Sequence, residues 1–483
     1  MPKGSKDVIV IGGGPAGLTT AYELQKLNPN IGVTVYEGNT LVGGISRTES
    51  YNGFRIDIGG HRFFTKVTEV EVMWHEVLGS DFIRVPRMSR IYYRNRFFDY
   101  PLKLFNAFSN IGAYESVRIM LSYFKWQVRP HRKEDNFEQW VINRFGGRLY
   151  MHFFRSYTEK VWGVPPKQIR ADWAAQRIKN LSLFKAVWNA ISGANDTSSL
   201  IEEFDYPRLG PGMMWEKTAA LIEKKGGQVV LETYVNRLNR SGKRITGVEI
   251  ADANGTRTVK ADHFVNSMGL RDLIECIDPP PPDDVLAAAQ NLSYRDFLIV
   301  ALVLDTADPF PDNWIYVHSN EVRVGRIQNF RAWSAEMVPN DHQASIGMEY
   351  FCQEGDELWE MDDHALVAKA AEELESIGLA KANQVVDAHI IRQPKAYPVY
   401  DAKYKEAVET IGPWIKSLEN LQTVGRNGLH RYNNQDHSML TGMLAARNIE
   451  GETNDLWSVN VERSYHEEFQ RDEKPGQKVS EPI

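Results

Sequence analysis

The spacing of apolar and polar positions changes several times along the chain, and the changes predict its elements. The opening runs from DVIVIGGG, an apolar stretch ending in glycines, through PAGLTTAYELQKL, with a helical period, to GVTVYEG, a second short apolar run. Strand, tight turn, helix and strand in that order make a βαβ unit. FRIDIGGHRFFTK and SRIYYRNRFFDYP follow as strands and loops. From about Leu102 to Ile178 aromatic and helix-forming residues accumulate with few turn signals, which predicts a helical insertion. The stretch KGGQVVLETYVNRLNRSGKRITGVEIADANGTRTVKADHFVNSMG alternates strands with SG and NG turns, then ends on an apolar run and small residues. It reads as a return to the first domain. Past the proline run Pro279 to Pro282, FLIVALVLD, NWIYVHS and ASIGMEYF predict a further sheet, and from Asn420 LQTVG leads through a glycine- and asparagine-rich loop into a helix, TGMLAARNIEG. No internal repeat is visible.

The predicted class is α/β, with segments that interleave. Residues 1–100 hold the βαβ unit and a glycine-histidine loop, 101–200 a mainly helical insertion, and 201–275 the return. A mixed β-sheet domain with the substrate surface takes 276–400, a closing segment 401–450, and a charged helix or tail 451–483. At 483 residues the chain has room for two or three lobes with a cofactor between them.

Composition narrows the function classes. Hydrophobic residues at 42% and charged residues at 25% fit a globular chain, and a net charge of -7 gives no overall attraction to nucleic acid or anionic membrane. Any polyanion must be met locally. Two cysteines, Cys276 and Cys352, supply neither a disulfide framework nor a thiolate set for structural zinc, so no metal is expected. The N-terminus passes from a short basic stretch straight into the first strand without a cleavable signal. No window approaches the roughly 18–20 apolar residues of a membrane span. A cytoplasmic location without a membrane span is the expectation.

Gly12, Gly14 and Gly17 form G-x-G-x-x-G directly after the first strand and open a helix whose N-terminal amides would face a pyrophosphate. The first glycine permits the turn, the second lets backbone approach the phosphates, and the third lets helix and strand pack closely. Glu37 closes the second strand, where a carboxylate can accept from a ribose hydroxyl and repel a 2′-phosphate. These residues indicate a dinucleotide, with NAD and FAD both open and NADP disfavoured.

The next stretch, LVGGISRTES, carries a second glycine pair, Gly43 and Gly44, followed by Arg47 and Thr48. This pattern resembles that of the amine-oxidase-like flavoproteins, and so does a glycine-rich C-terminal segment before a helix. The resemblance implies FAD in a Rossmann-like domain. Seven further segments, in order, resemble the UDP-galactopyranose mutases, especially the eukaryotic type: GGHRFF, EKVWGVPP, the WAAQR ending at Arg177, FDYPRLGPGMMW, WIYVHSNEVRVGR, AYPVYD and NNQDHS. They span most of the chain.

That likeness implies a nucleotide-sugar substrate and a pyranose/furanose isomerisation without net redox change, in which the N5 atom of reduced flavin attacks the anomeric carbon as the nucleoside diphosphate departs. A reductant such as NADPH would keep the flavin reduced. Arg177 and Arg326 match arginines that clamp the diphosphate, a task suited to guanidinium groups arriving from two sides; the competing role for either is a surface ion pair. Tyr397 and Tyr432 match tyrosines on the phosphates, and Trp314 and Tyr316 an aromatic strand beside the sugar, with core packing as the rival for all of them. His61 matches the histidine of a loop against the flavin, its backbone freed by Gly59 and Gly60. Val235, Arg426, Asn434, Gln435, Asp436, His437 and Ser438 fall on the cofactor surface by the same likeness.

Two departures from the family pattern leave the substrate open. Lys103, after Tyr100 in YPLK, stands where a glutamine helps read the uracil, and Arg426 to Asn434 is about two residues short, which puts the place of Tyr432 in doubt. An alternative is a flavin oxidase or desaturase related to the protoporphyrinogen oxidases, which expects an apolar tunnel in place of a basic pocket. A flavin-binding protein without turnover is the third. The sugar, the base and the oligomeric state are not legible.

Overall fold

The computed structural model describes residues 6–100, 104–171 and 203–460. Lys103, Arg177 and, of the charged helix or tail expected at 451–483, residues 461–483 lie outside the described residues.

The opening unit forms as its pattern dictates. Strand β1 (Asp7–Ile11) is buried but for its first residue, helix α1 (Pro15–Leu27) starts with proline in its first turn, and strand β2 (Gly32–Tyr36) returns parallel to β1. Gly12 takes φ +97° to turn the chain between strand and helix, a conformation that costs glycine little. A Cβ on Gly17 would collide with the Gly12 carbonyl, so the third glycine is required for packing. Three later segments complete a five-stranded parallel sheet in the order Leu421–Thr423, His263–Asn266, β1, β2, Gln228–Val230. The chain therefore returns to the first sheet three times, near residues 230, 265 and 422.

Tyr234–Ser241, Arg244–Asp252 and Gly255–Val259 form an antiparallel meander whose turns hold Gly242 and Gly255 at positive φ. A separate seven-stranded sheet is ordered Val385–Pro398, Tyr294–Leu304, Ala344–Cys352, Arg326–Asn329, Trp314–Val317, Ser89–Tyr93, Arg96–Asp99. Ser89–Tyr93 and Arg96–Asp99, grouped with the first segment by sequence, pair into this sheet instead. Val385–Pro398 hides its strand character behind Pro394 and Lys395. It is an edge strand, and its register shifts between Gln393 and Tyr397, where the proline sits.

Among the described residues the helical insertion comprises Leu104–Ile111, Ala113–Val128, Phe137–Phe145 and Arg155–Trp162, with a π-helical turn over Tyr150–Phe154. No described helix is long and apolar enough to cross a membrane.

The C-terminal helix Gln435–Ile449 packs on α1. Asn28, just past the end of α1, donates to Glu450 at 3.4 Å, so the two helices run parallel and their N-termini face the same side. Two positive helix ends thus converge where an anionic cofactor would lie. Gly442 lets them pack closely, since a Cβ there would come within 2.5 Å of the Ala16 carbonyl. Gly442→Val is expected to lower the unfolding free energy by about 1–3 kcal/mol through overpacking, read from the denaturant midpoint, and to weaken flavin retention.

Candidate functional site

The glycine loop is assembled from two segments of the first fifty residues, around Gly13 and Gly43. The Gly43 amide donates to the Gly13 carbonyl at 2.8 Å, which stacks the second glycine pair on the first. Glu37 is buried; one carboxylate oxygen accepts from the Gly13 amide at 2.7 Å and the other from the Asn39 amide and side chain at 2.9 and 2.7 Å. The carboxylate therefore holds the loop in shape. Beside it a cavity of about 410 Å3 is lined by Gly38, Asn39, Thr40, Glu232, Tyr234 and Ala253, with the Tyr234 ring largely exposed. These groups suit a ribose and an aromatic base. Val235 is the next residue after Tyr234, half-buried against the neighbouring core.

A second cavity of about 410 Å3 lies where the loop Ile58–Phe64, the helix Arg155–Trp162, the seven-stranded sheet and the segment 426–436 meet. Arg62, Arg326 and Arg426 enter it from three different elements. Arg326 extends from the strand Arg326–Asn329, and its Nε donates to Glu349 at 2.5 Å. Glu349 sits fully buried on the wholly buried strand Ala344–Cys352 and also accepts from Gln328. Burial opposes charge on Arg326, but the adjacent Glu349 carboxylate outweighs it and holds the guanidinium firmly protonated. Nη2 of Arg326 reaches the Gly59 turn, which takes φ +91°. Arg426 donates through Nε to the Asn433 carbonyl at 2.7 Å and lies over the rings of Tyr397 and Tyr432, at 5.5 and 4.9 Å.

Aromatic side chains supply the rest of the wall. Tyr397 and Tyr432 stack at 5.6 Å with Trp162 beside both, and Tyr100 packs on Tyr316 at 4.8 Å. Tyr157 stacks on His318 at 4.3 Å. Burial pushes the Tyr397 phenol up to about 12, so it stays an O–H donor. His61 is brought down to about 4, chiefly by burial, with Arg426 and Arg326 adding to the effect, and its Nε2 lies 2.8 Å from the Ile58 carbonyl. A neutral imidazole tied to its own loop is a poor proton carrier near neutral pH. Asp57, just before this loop, accepts from Tyr206 and from Thr48 at 2.8 Å, and burial raises its pKa to about 7.

At the N-terminus of the C-terminal helix, Asn434, Gln435 and Asp436 line the cavity. The Gln435 Nε2 is buried with no partner among the described residues, a donor left for a bound group. Asp436 accepts from Thr65 at 3.1 Å, the Asn434 amide lies 3.3 Å from Nδ1 of His437, and His437 and Ser438 are buried in the first turn. Glycine cradle, carboxylate, helix N-termini and the Gln435 amide are together the kinds of group that fit a flavin dinucleotide.

The structure thus brings Tyr100, His61, Tyr316, Arg326, Tyr397, Arg426 and Tyr432 to one cavity. Trp314 and Arg47 line neither cavity. Trp314 is buried, stacked on Trp333 at 5.3 Å, with the Arg62 guanidinium 5.9 Å from its ring. Arg47 sits beside the glycine loop with its guanidinium committed to Glu49, the Gly44 carbonyl and Gln393. Arg62, Tyr157 and Glu349 were not singled out by sequence. The first two lie in or next to quoted motifs, and a carboxylate inside the apolar run ASIGMEYFC was the available sign of a buried cationic partner.

A family model for flavin containing amine oxidoreductases matches residues 15–393. Coproporphyrinogen III oxidase of Staphylococcus aureus is 28% identical over 99 residues, 20% of this chain and 21% of that protein. Its counterpart in Mycobacterium tuberculosis (strain H37Rv) is 36% identical over 73 residues, 15% of this chain and 16% of that protein. These matches span about a fifth or less of the relatives' length. Among solved structures, reduced UDP-galactopyranose mutase superposes with a TM-score of 0.80 at 21% identity, covering 92% of this chain and 94% of that one. A putative protoporphyrinogen oxidase from Exiguobacterium gives 0.68 at 16% identity, covering 92% and 99%. Putrescine oxidase bound to putrescine gives 0.61 at 16%, covering 93% and 99%. At these identities the structures share the fold.

Asp57 generates a pH prediction. Its folded pKa lies above the unfolded one, so its contribution to stability is complete below about pH 4 and is lost as pH rises through about 7. Asp57→Asn is expected to remove that part of the pH dependence. Urea midpoints measured between pH 4 and 8 check it, the native and variant curves converging at the acid end.

Proposed function

The chain belongs to the flavin-containing amine oxidoreductases, and from that membership we propose that it is an FAD-dependent nucleotide-sugar mutase that interconverts pyranose and furanose forms. One observation carries the proposal: the cavity at the loop Ile58–Phe64 is lined by three guanidinium groups and five tyrosines. Such a wall suits a diphosphate and a sugar and repels an aliphatic diamine. Arg326, steadied by Glu349, and Arg426, steadied by the Asn433 carbonyl, would take the diphosphate from two elements. Pre-aimed cations stabilise charge that develops on a departing phosphate oxygen. The phenols of Tyr397 and Tyr432 would donate to the same oxygens, and Tyr316 and Tyr100 would flank the sugar and base. With Arg177 and Lys103 outside the described residues, their expected parts in the clamp and in base recognition belong to the proposal alone.

FAD would lie with its pyrophosphate on the Gly12–Gly17 loop, its ribose by Glu37 and its ring by Gln435, with Gly43, Gly44, Gly60, Asn434, Asp436 and His437 around it. Bound in its reduced form, with NADPH as a candidate reductant, it would supply the electron pair that the isomerisation needs. The backbone of the Gly59–His61 turn would close over the ring, while the neutral His61 leaves proton transfer to the substrate's own hydroxyls and to phenols.

A second reading, an oxidoreductase acting on a polycarboxylate, draws on the short sequence match to coproporphyrinogen oxidases, because carboxylates would meet the same cations. One experiment separates the two. The FAD-loaded protein, reduced with dithionite under nitrogen, is incubated with UDP-galactose and related nucleotide sugars, and anomeric proton signals are followed. New furanose signals without oxygen uptake are the expected result. Oxygen uptake with a tetrapyrrole, and no isomerisation of any nucleotide sugar, would overturn the mutase. Arg326→Ala should weaken UDP binding by about 1.5–3 kcal/mol with flavin retained, measured by calorimetry.

A further inference from the structure

The strands that carry Tyr316 and Arg326 are joined by the loop His318–Gly325, and that loop is gripped from two sides. Lys160, on the helix Arg155–Trp162, points its Nζ into the carbonyls of Val317, Ser319, Val322 and Val324, at 3.1, 2.7, 3.0 and 3.0 Å. From the opposite side Glu373, on the helix Asp363–Ile377, accepts from the amides of Arg323 and Val324, at 2.8 and 2.9 Å, and from the Tyr350 hydroxyl at 3.1 Å. A cation on the carbonyls and an anion on the amides align the peptide dipoles of a loop with no regular structure of its own.

The same helix reaches the cavity one turn away. Ser156 donates to the His318 carbonyl at 3.1 Å, Tyr157 stacks on His318, and Val161 and Trp162 line the cavity. Lys160 therefore fixes one wall to the loop that leads into Arg326. An ammonium has three protons for four carbonyls, so the cage favours a full positive charge and would be poorly met by a neutral amine. Burial lowers the Lys160 pKa to about 8, with Glu373 opposing the fall and Arg323 adding to it.

We propose that Lys160 and Glu373 form a clamp on the loop His318–Gly325 which sets the reach of Arg326 and Tyr316, making Lys160 a positioning residue for anion binding. Its anion-binding part rests on the proposed nucleotide-sugar function. The cage itself is a cation site of four carbonyls, so a small cation can stand in for the side chain when the lysine is shortened.

The test uses the full-length FAD-loaded protein with Lys160→Ala and Lys160→Met. Amide hydrogen exchange over 318–326 should accelerate in both variants while exchange over 7–36 stays unchanged. UDP affinity should fall by about tenfold or more. Ammonium chloride, but not tetramethylammonium chloride, should restore both readouts in Lys160→Ala and leave Lys160→Met, whose side chain fills the cage, unrestored. Unchanged exchange in both variants, or losses in Lys160→Ala that ammonium does not reverse, would overturn the clamp. If the native protein binds no nucleoside diphosphate, the proposed function fails, and exchange with its ammonium rescue decides the clamp alone.

Discussion

The site is organised around one constraint, the burial of Glu349. A carboxylate on a central strand of the seven-stranded sheet, with no exposed surface, must be paired and hydrogen-bonded, since removing one partner of such a pair typically costs about 3–5 kcal/mol. Arg326 and Gln328, both on the neighbouring strand, meet that need. Because Arg326 spends its Nε edge on Glu349, its position is fixed by the sheet and does not depend on ligand. The loop before it is held by Lys160 and Glu373, and the glycine-histidine turn packs against its far edge. The cationic character of the cavity is thus built into the sheet.

The cofactor end depends on backbone. Glu37 holds the Gly13 amide, the second glycine pair docks on the first, and the parallel pair formed by α1 and the C-terminal helix delivers two positive helix ends to one region. None of this requires a side chain to reach a phosphate, which is why glycines dominate. Between the two ends the donor set passes from amides to guanidinium groups and phenols, the order in which a dinucleotide and then an anionic substrate would be met.

Much of this was legible in the sequence for physical reasons. The βαβ unit was visible because its strands are short apolar runs and its turn is glycine. The three strands FLIVALVLD, NWIYVHS and ASIGMEYF were visible because they are buried on both faces. Val385–Pro398 was not, because an edge strand tolerates a proline and mixes polar residues. Trp314, matched by likeness to the sugar wall together with Tyr316, does share that residue's face of the strand, with the rings 6.4 Å apart, but it is buried and stacked on Trp333, which spacing alone does not reveal. Glu349 and Lys160 were missed because what each does is set by partners far away in sequence, over strand pairing or loop carbonyls that spacing does not reveal.

The cavity at the loop Ile58–Phe64 is cationic and fixed by the sheet, and the proposed function gives it an anionic, phosphate-bearing substrate. That pairing is tested most directly by calorimetric titration of the FAD-loaded protein with UDP, with uridine and with putrescine in the same low-salt buffer. UDP is expected to bind, uridine to bind far more weakly, and putrescine not to bind. Saturable binding of putrescine with none for UDP would contradict it.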